Sequence, residues 1–270
     1  MSRRISRRTV RRSKGLFLEE ILAWKRREIE ADSQKLPEAE LRALAAMSPA
    51  PRDFRSAIGK RTPAIVATVQ RASPARGLLA HRFDAADTAR LYADAGADAL
   101  AVWVDKRYFQ GDLEHLTAAR NAVPGKPVLA LDFVIARRQV LASRAFGADA
   151  VALFAGVLGE KDLKEIAGYA RGLGMAPLIV VESAQEVEKA LDAGGETIAI
   201  ACRDTRTFRL VEGRCKRLAE LASGKMVLCW EPVLGVSELV SLGIAGVMTG
   251  ERIAKSSPEN VRKWFRPFRR

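Results

Sequence analysis

Short apolar runs follow glycines at a spacing of about 50 residues along the chain: AGADALAVWV from Ala95, FGADAVALFA from Phe146, AGGETIAIAC from Ala193 and LGIAGVMTG from Leu242. Each predicts a helix ending at a glycine, where a left-handed cap costs little, followed by a strand whose small and β-branched residues are buried on both faces. Midway between them lie runs of the same character: TPAIVATVQ (62–70), KPVLALDF (126–133), MAPLIVVE (175–182) and KMVLCWE (225–231). The connecting segments, such as DLKEIAGYARGLG and SAQEVEKALDAGG, repeat Leu, Ile, Val and Ala at three- and four-residue steps and read as helices. Eight alternating strand and helix units predict an α/β fold, a closed parallel (β/α)8 TIM barrel; an open doubly wound sheet is the other arrangement such a pattern allows. No GxGxxG follows any strand, which counts against a dinucleotide-binding sheet.

Ahead of the first strand, GLFLEEILAWKRREIEADSQ and LPEAELRALAAMS read as two amphipathic helices joined at a proline, an N-terminal helical extension. SSPENVRKWF, with a capping serine and a first-turn proline, reads as a last helix. The expected organisation is a basic tail over 1–14, helices packed on the barrel over 15–60, the barrel over 61–260 and a second basic tail over 261–270.

Composition refines this picture mainly through where the charge lies. The chain has 270 residues, 48% of them hydrophobic, and no apolar run long enough to cross a bilayer. Its start lacks the apolar block of a secretory signal, so the expectation is a soluble intracellular protein, cytoplasmic or organellar, without a membrane partner. Of the 45 Lys and Arg, seven fall in residues 1–14 and five in 261–270, with no acid in either stretch. That leaves 33 basic against 32 acidic residues, so the net charge of +13 belongs to the two ends. The pairs Arg3 and Arg4, Arg7 and Arg8, and Arg11 and Arg12 recur every four residues and would line one helix face. Trp264, Arg266, Arg269 and Arg270 interleave aromatic rings with arginine. Together they suit phosphate contacts with base stacking, and point to RNA or an acidic protein as partner. An Arg- and Ser-rich, acid-free start is equally the composition of a transit peptide, and Trp264 with Phe265 can equally dock the last helix on the barrel.

The three cysteines, Cys202, Cys215 and Cys229, have no metal-type spacing and read as small core residues. His81 and His115 lie far apart in polar surroundings and read as exposed side chains. Neither metal nor cofactor is expected.

LEEILAWKRREIE, APRDF (50–54), ASPARGLL (72–79), YFQGDLEHL (108–116), DFVIARRQVLASRAFGADAV (132–151) and CRDTRTF (202–208), in this order, resemble the indole-3-glycerol-phosphate synthase family over residues 16–255. The resemblance implies closure of an indole ring on a carboxyphenylamino-deoxyribulose phosphate, with loss of carbon dioxide and water. Such a reaction calls for an acid at a carbonyl, a carboxylate that moves the dehydration proton, and donors that hold phosphate and carboxylate. The family places these groups at strand ends, in AExK, LxKDF, LVEVH, INNRD, ESGI and a glycine loop.

Residue by residue, those positions read differently here. AExK becomes Ala67, Thr68, Val69 and Gln70; the lysine of LxKDF is Leu131; the glutamate of LVEVH is Val180; the first amide of INNRD is Ala201, with Cys202 beside it. Trp103 and Val104 stand at the second strand's end, and on the seventh either Trp230 replaces the family glutamate or Glu231 preserves it. Ser73, Phe109, Arg203, Asp204 and Gly250 remain as a partial phosphate frame. A mouth lined by Trp103, Phe109, Leu131, Phe154, Val180, Ala201 and Trp230 is expected to take a small aromatic or phosphate ligand. The expectation from these departures is a barrel that has lost ring closure and serves as a binding or structural component with basic tails. Two alternatives stand beside it. One is new proton-abstraction chemistry by Glu231, with Asp105 and Asp132 as lesser candidates; the other is a divergent synthase of tryptophan biosynthesis that works with unfamiliar residues.

Overall fold

The computed structural model describes residues 16–207, 209–232 and 234–269. The chain opens with helices α1 (Leu16–Lys35), α2 (Glu38–Met47) and α3 (Phe54–Gly59), and then enters β1 (Ala64–Val69). A short antiparallel pair, β2 (Ala72–Ser73) and β3 (Gly77–Leu78), follows within the first loop. From there helix and strand alternate: α4 (Ala85–Ala95), β4 (Ala99–Trp103), α5 (Leu113–Ala122), β5 (Val128–Leu131), α6 (Arg137–Ala145), β6 (Ala150–Phe154), α7 (Glu160–Gly172) and β7 (Ala176–Val181). The second half continues through α8 (Ala184–Asp192), β8 (Thr197–Ala201), α9 (Arg214–Leu221), β9 (Met226–Trp230), α10 (Val236–Ser241), β10 (Gly246–Thr249) and α11 (Pro258–Phe265). The eight long strands close as β1-β10-β9-β8-β7-β6-β5-β4, every neighbouring pair parallel, which is the barrel the pattern predicts. No described helix is long and apolar enough to cross a membrane.

Local chemistry fixes the element ends. Asp84, Asp112, Ser183 and Ser257 cap their helices by accepting a backbone N–H in the first turn. Gly96 ends α4 at φ 110°, a conformation that an L-residue rarely adopts, and turns the chain directly into β4.

Strand alternation sorts the apolar residues into two layers. Val66, Ala101, Trp103, Leu129, Leu131, Phe154, Val180 and Ala201 fill the barrel interior with Leu228 and Met248. Ile65, Val102, Val128, Val151, Ile179, Ile200 and Val247 face the helices. Removing each such large side chain from water contributes roughly 1.5–3 kcal/mol. The closed cylinder is therefore a packed core with a working surface only at its rims.

Charged side chains tie the extension to the barrel. Lys25 of α1 is buried and reaches Asp132 at 2.7 Å and Asp105 at 2.9 Å, with Glu28 at 2.7 Å. Asp105 also accepts the Phe109 N–H at 3.1 Å. Asp105 and Asp132 are thus anchors for α1, a correction to their reading as lesser base candidates. At the opposite rim Asp149 accepts the N–H groups of Arg52 and Val128, each at 2.7 Å, and pairs with the buried guanidinium of Arg120.

Two expectations change, those for the C-terminal tail and for His115. Arg3, Arg4, Arg7, Arg8, Arg11, Arg12 and Arg270 lie outside the described residues. Residues 261–269 form the end of α11 and a 3₁₀ turn rather than a free tail: Phe265 is buried, Trp264 stacks on Phe268 at 5.0 Å, and Arg269 pairs with Asp98 at 3.0 Å. Arg266 is exposed. His81 is exposed as expected, but His115 is half-buried with its ring edge against Phe83, because α5 turns it toward the β3–α4 connection.

Candidate functional site

The strands end together at one rim, and pairing fixes which side chains share a level there. Trp103 pairs with Leu131, Phe154 with Val180, and Ala201 with Trp230, which in turn pairs with Met248. All of these face the interior. The register question on β9 is thereby answered: Trp230 points inward, and Glu231 begins the loop beyond the strand.

The rings form a continuous wall. Trp103 stacks on Phe109 at 3.5 Å with planes 4° apart and lies 6.1 Å from Trp230; Phe154 lies 5.2 Å from Phe133 and 6.2 Å from Trp230. Leu131 and Val180 are fully buried beneath them. Above this floor is a cavity of about 70 Å³, walled by Trp103, Phe109, Phe133, Phe154 and Trp230 and edged by Gln70, Arg203, Glu231 and Glu251. The expected mouth residues are thus gathered in one place. Leu131 and Val180 do not line this cavity.

The polar edge is where sequence reasoning falls short. Glu231 is buried at φ 56°, and its Oε1 accepts the N–H groups of Gly250 at 2.8 Å and Glu251 at 3.1 Å. It is neither a surface acid nor a free base, since it occupies the donors expected to meet a phosphate. Burial pushes its carboxyl above the usual range, and the Gly250 N–H pulls it partly back. Arg203 lines the same cavity with its Nε 3.6 Å from Glu251. Ser73 is buried behind this edge, its Oγ accepting the Arg76 N–H at 3.1 Å, and does not line the cavity. Gln70, which stands where AExK has its lysine, is buried at the edge, and its Nε2 has no hydrogen-bond partner among the described residues.

Glu182 is the residue the sequence reading missed. It lies two positions beyond Val180 and so projects from the same side of the chain, one pleat nearer the mouth. Its carboxylate accepts the Thr205 N–H at 2.9 Å and lies 3.5 Å from Arg214. With Phe154, Val180 and Thr205 it lines a second cavity of about 80 Å³, which meets the first at Phe154 and Thr205. Burial lifts its carboxyl to about 7, against the pull of Thr205 and Arg214. The parity of positions 180 and 182 was the signal available in the sequence.

Comparison with known proteins agrees with this architecture. The family profile described as "Indole-3-glycerol phosphate synthase" matches residues 18–263. The protein of that name from Roseiflexus sp. (strain RS-1) is 37% identical over 249 residues, covering 88% of this chain and 93% of its own. The one from Albidiferax ferrireducens is 35% identical over 236 residues, covering 86% and 89%. Among solved structures, the thiamine phosphate pyrophosphorylase of Pyrococcus furiosus superposes with a TM-score of 0.56 at 16% identity, over 78% of this chain and 95% of that one. At that identity the likeness is one of fold.

Proposed function

The chain belongs to the indole-3-glycerol phosphate synthase family, and on that premise we propose that it closes the indole ring of a carboxyphenylamino-deoxyribulose phosphate with proton-transfer groups placed differently from the family's. This corrects the expectation of a barrel that has lost ring closure and serves as a binding or structural component. The relatives that match it over most of both chains are named as the synthase, which favours the divergent-synthase alternative.

The observation that carries the reading is Glu182, a half-buried carboxyl near neutrality just past the end of β7, two residues beyond Val180. Near pH 7 it populates both protonation states, so one group can give a proton during ring closure and take one during dehydration. Gln70 Nε2 and Arg203 are donors at the cavity edge for the substrate's anionic groups, and the aromatic wall suits its phenyl ring. Two tryptophans, Trp103 and Trp230, wall the cavity, so substrate binding there should change tryptophan fluorescence.

The test is a direct ring-closure assay on the purified protein, read by indole fluorescence, beside rescue of a tryptophan-requiring strain that lacks the enzyme. Turnover with rescue is expected. A folded, well-expressed protein that neither turns over nor rescues would overturn the proposal.

A further inference from the structure

The three cysteines are buried core residues, as expected, and their side chains also converge. Cys229 lies in β9 opposite Ile200, Cys202 follows β8 on the same outward side, and Cys215 is the second residue of α9 packed over both. Their sulfurs all lie within 4.8 Å of one another, and all three side chains are buried. Cys215 and Cys229 are joined as a disulfide, while the free Cys202 holds its Sγ 3.3 Å from that of Cys229. A disulfide uses two sulfurs and leaves the third unexplained. Three thiolates about 2.3 Å from a shared ion would stand about 4 Å apart, a spacing that these three sulfurs, all within 4.8 Å of one another, can reach once the joined pair separates on reduction.

We infer that, once the Cys215–Cys229 bond is reduced, Cys202, Cys215 and Cys229 form a three-thiolate site for one soft d¹⁰ cation. Reduction by a dithiol transfers two electrons and two protons, giving two protein thiols and an oxidised dithiol. A divalent cation then displaces three thiol protons to solvent and leaves a net charge of −1. The buried Arg214, whose Nη1 donates to the Ala201 carbonyl at 2.9 Å, supplies compensating positive charge beside Cys202. A soft ion is selected because sulfur is the ligand type offered and no carboxylate joins the group among the described residues. The site lies in the layer between strands and α9, behind the barrel interior, and touches the surroundings of Glu182 through Arg214.

The full-length protein, reduced with dithiothreitol and freed of it under anaerobic conditions, is titrated with Cd²⁺. The expected result is one ion per chain, ultraviolet thiolate-to-cadmium charge transfer, and a raised melting temperature. Cys202→Ala, which leaves the Cys215 and Cys229 thiols, is expected to weaken the charge-transfer band of the bound ion and to lower affinity at least a hundredfold. Binding by this variant equal to that of the unmodified chain would overturn the site. So would a thiol count that stays at one after reduction, or a fully reduced folded protein that takes up no Cd²⁺.

Discussion

Glu231 and Gly250 face each other across the end of the barrel, the carboxylate of one accepting the backbone N–H of the other at 2.8 Å. The same oxygen takes the Glu251 N–H at 3.1 Å, so a side chain of the protein holds the donors that are proposed to meet a phosphate. Glu231→Ala should free both. A hydrogen bond to a charged group contributes about 1.5–3 kcal/mol, so even one of the freed donors should tighten inorganic phosphate binding to the variant roughly ten- to a hundredfold. Titration calorimetry reads this directly, and unchanged affinity would mean that the donors are not reachable.

Glu182→Gln removes the side chain that is proposed to give and take the proton. A loss of about 10²- to 10⁴-fold in kcat is expected, with a smaller change in KM. The rate of the unmodified protein in the step where Glu182 acts as base should rise through about pH 7, where burial places its carboxyl, and the variant should lack that limb. A pH–rate profile identical in the two proteins would remove Glu182 from the mechanism.

The same shift bears on stability. The folded chain keeps a proton on Glu182 up to about pH 7, whereas the unfolded chain releases it near the ordinary carboxyl range. Glu182 therefore favours the fold at low pH, and that contribution is lost as pH rises from about 4.5 through 7. Glu182→Gln should flatten this part of the curve in denaturant titrations at pH 5 and pH 8. An unaltered pH 5 to pH 8 difference would contradict the shift.

Lys25→Met leaves Asp105 and Asp132 buried without their shared cation. Breaking such a cluster costs about 3–5 kcal/mol, whereas neutralising its acids as well restores much of the loss. The triple variant Lys25→Met, Asp105→Asn, Asp132→Asn should accordingly melt above the single one. Equal melting of single variant and parent would show that α1 is held by its apolar face alone.

At the opposite rim, Arg120→Ala strands Asp149 in the same way and should cost about 3–5 kcal/mol. Since Asp149 also holds the N–H groups of Arg52 and Val128, the loss should reach the start of α3 and of β5. Hydrogen exchange in those two segments checks this, and protection unchanged in both would refute it.

By itself the sequence determined the order of the elements and the family. Each helix and strand carries its own periodicity, and a glycine such as Gly96 or a cap such as Ser183 marks its end within a few residues. It also determined that Leu131 and Val180 are interior, because alternation along a strand is local information. What only the tertiary structure decided depends on closure of the barrel. Closure brings Lys25 to Asp132, seats Glu231 on the Gly250 N–H and gathers three sulfurs from separate elements. Such contacts are set by sheet register and by how far each loop carries its residue, and neither quantity is written in any one segment. Glu182 shows the boundary most closely: its parity with Val180 was legible, but the burial that lifts its carboxyl to about 7 required Phe154, Thr205 and Arg214 to be in place around it.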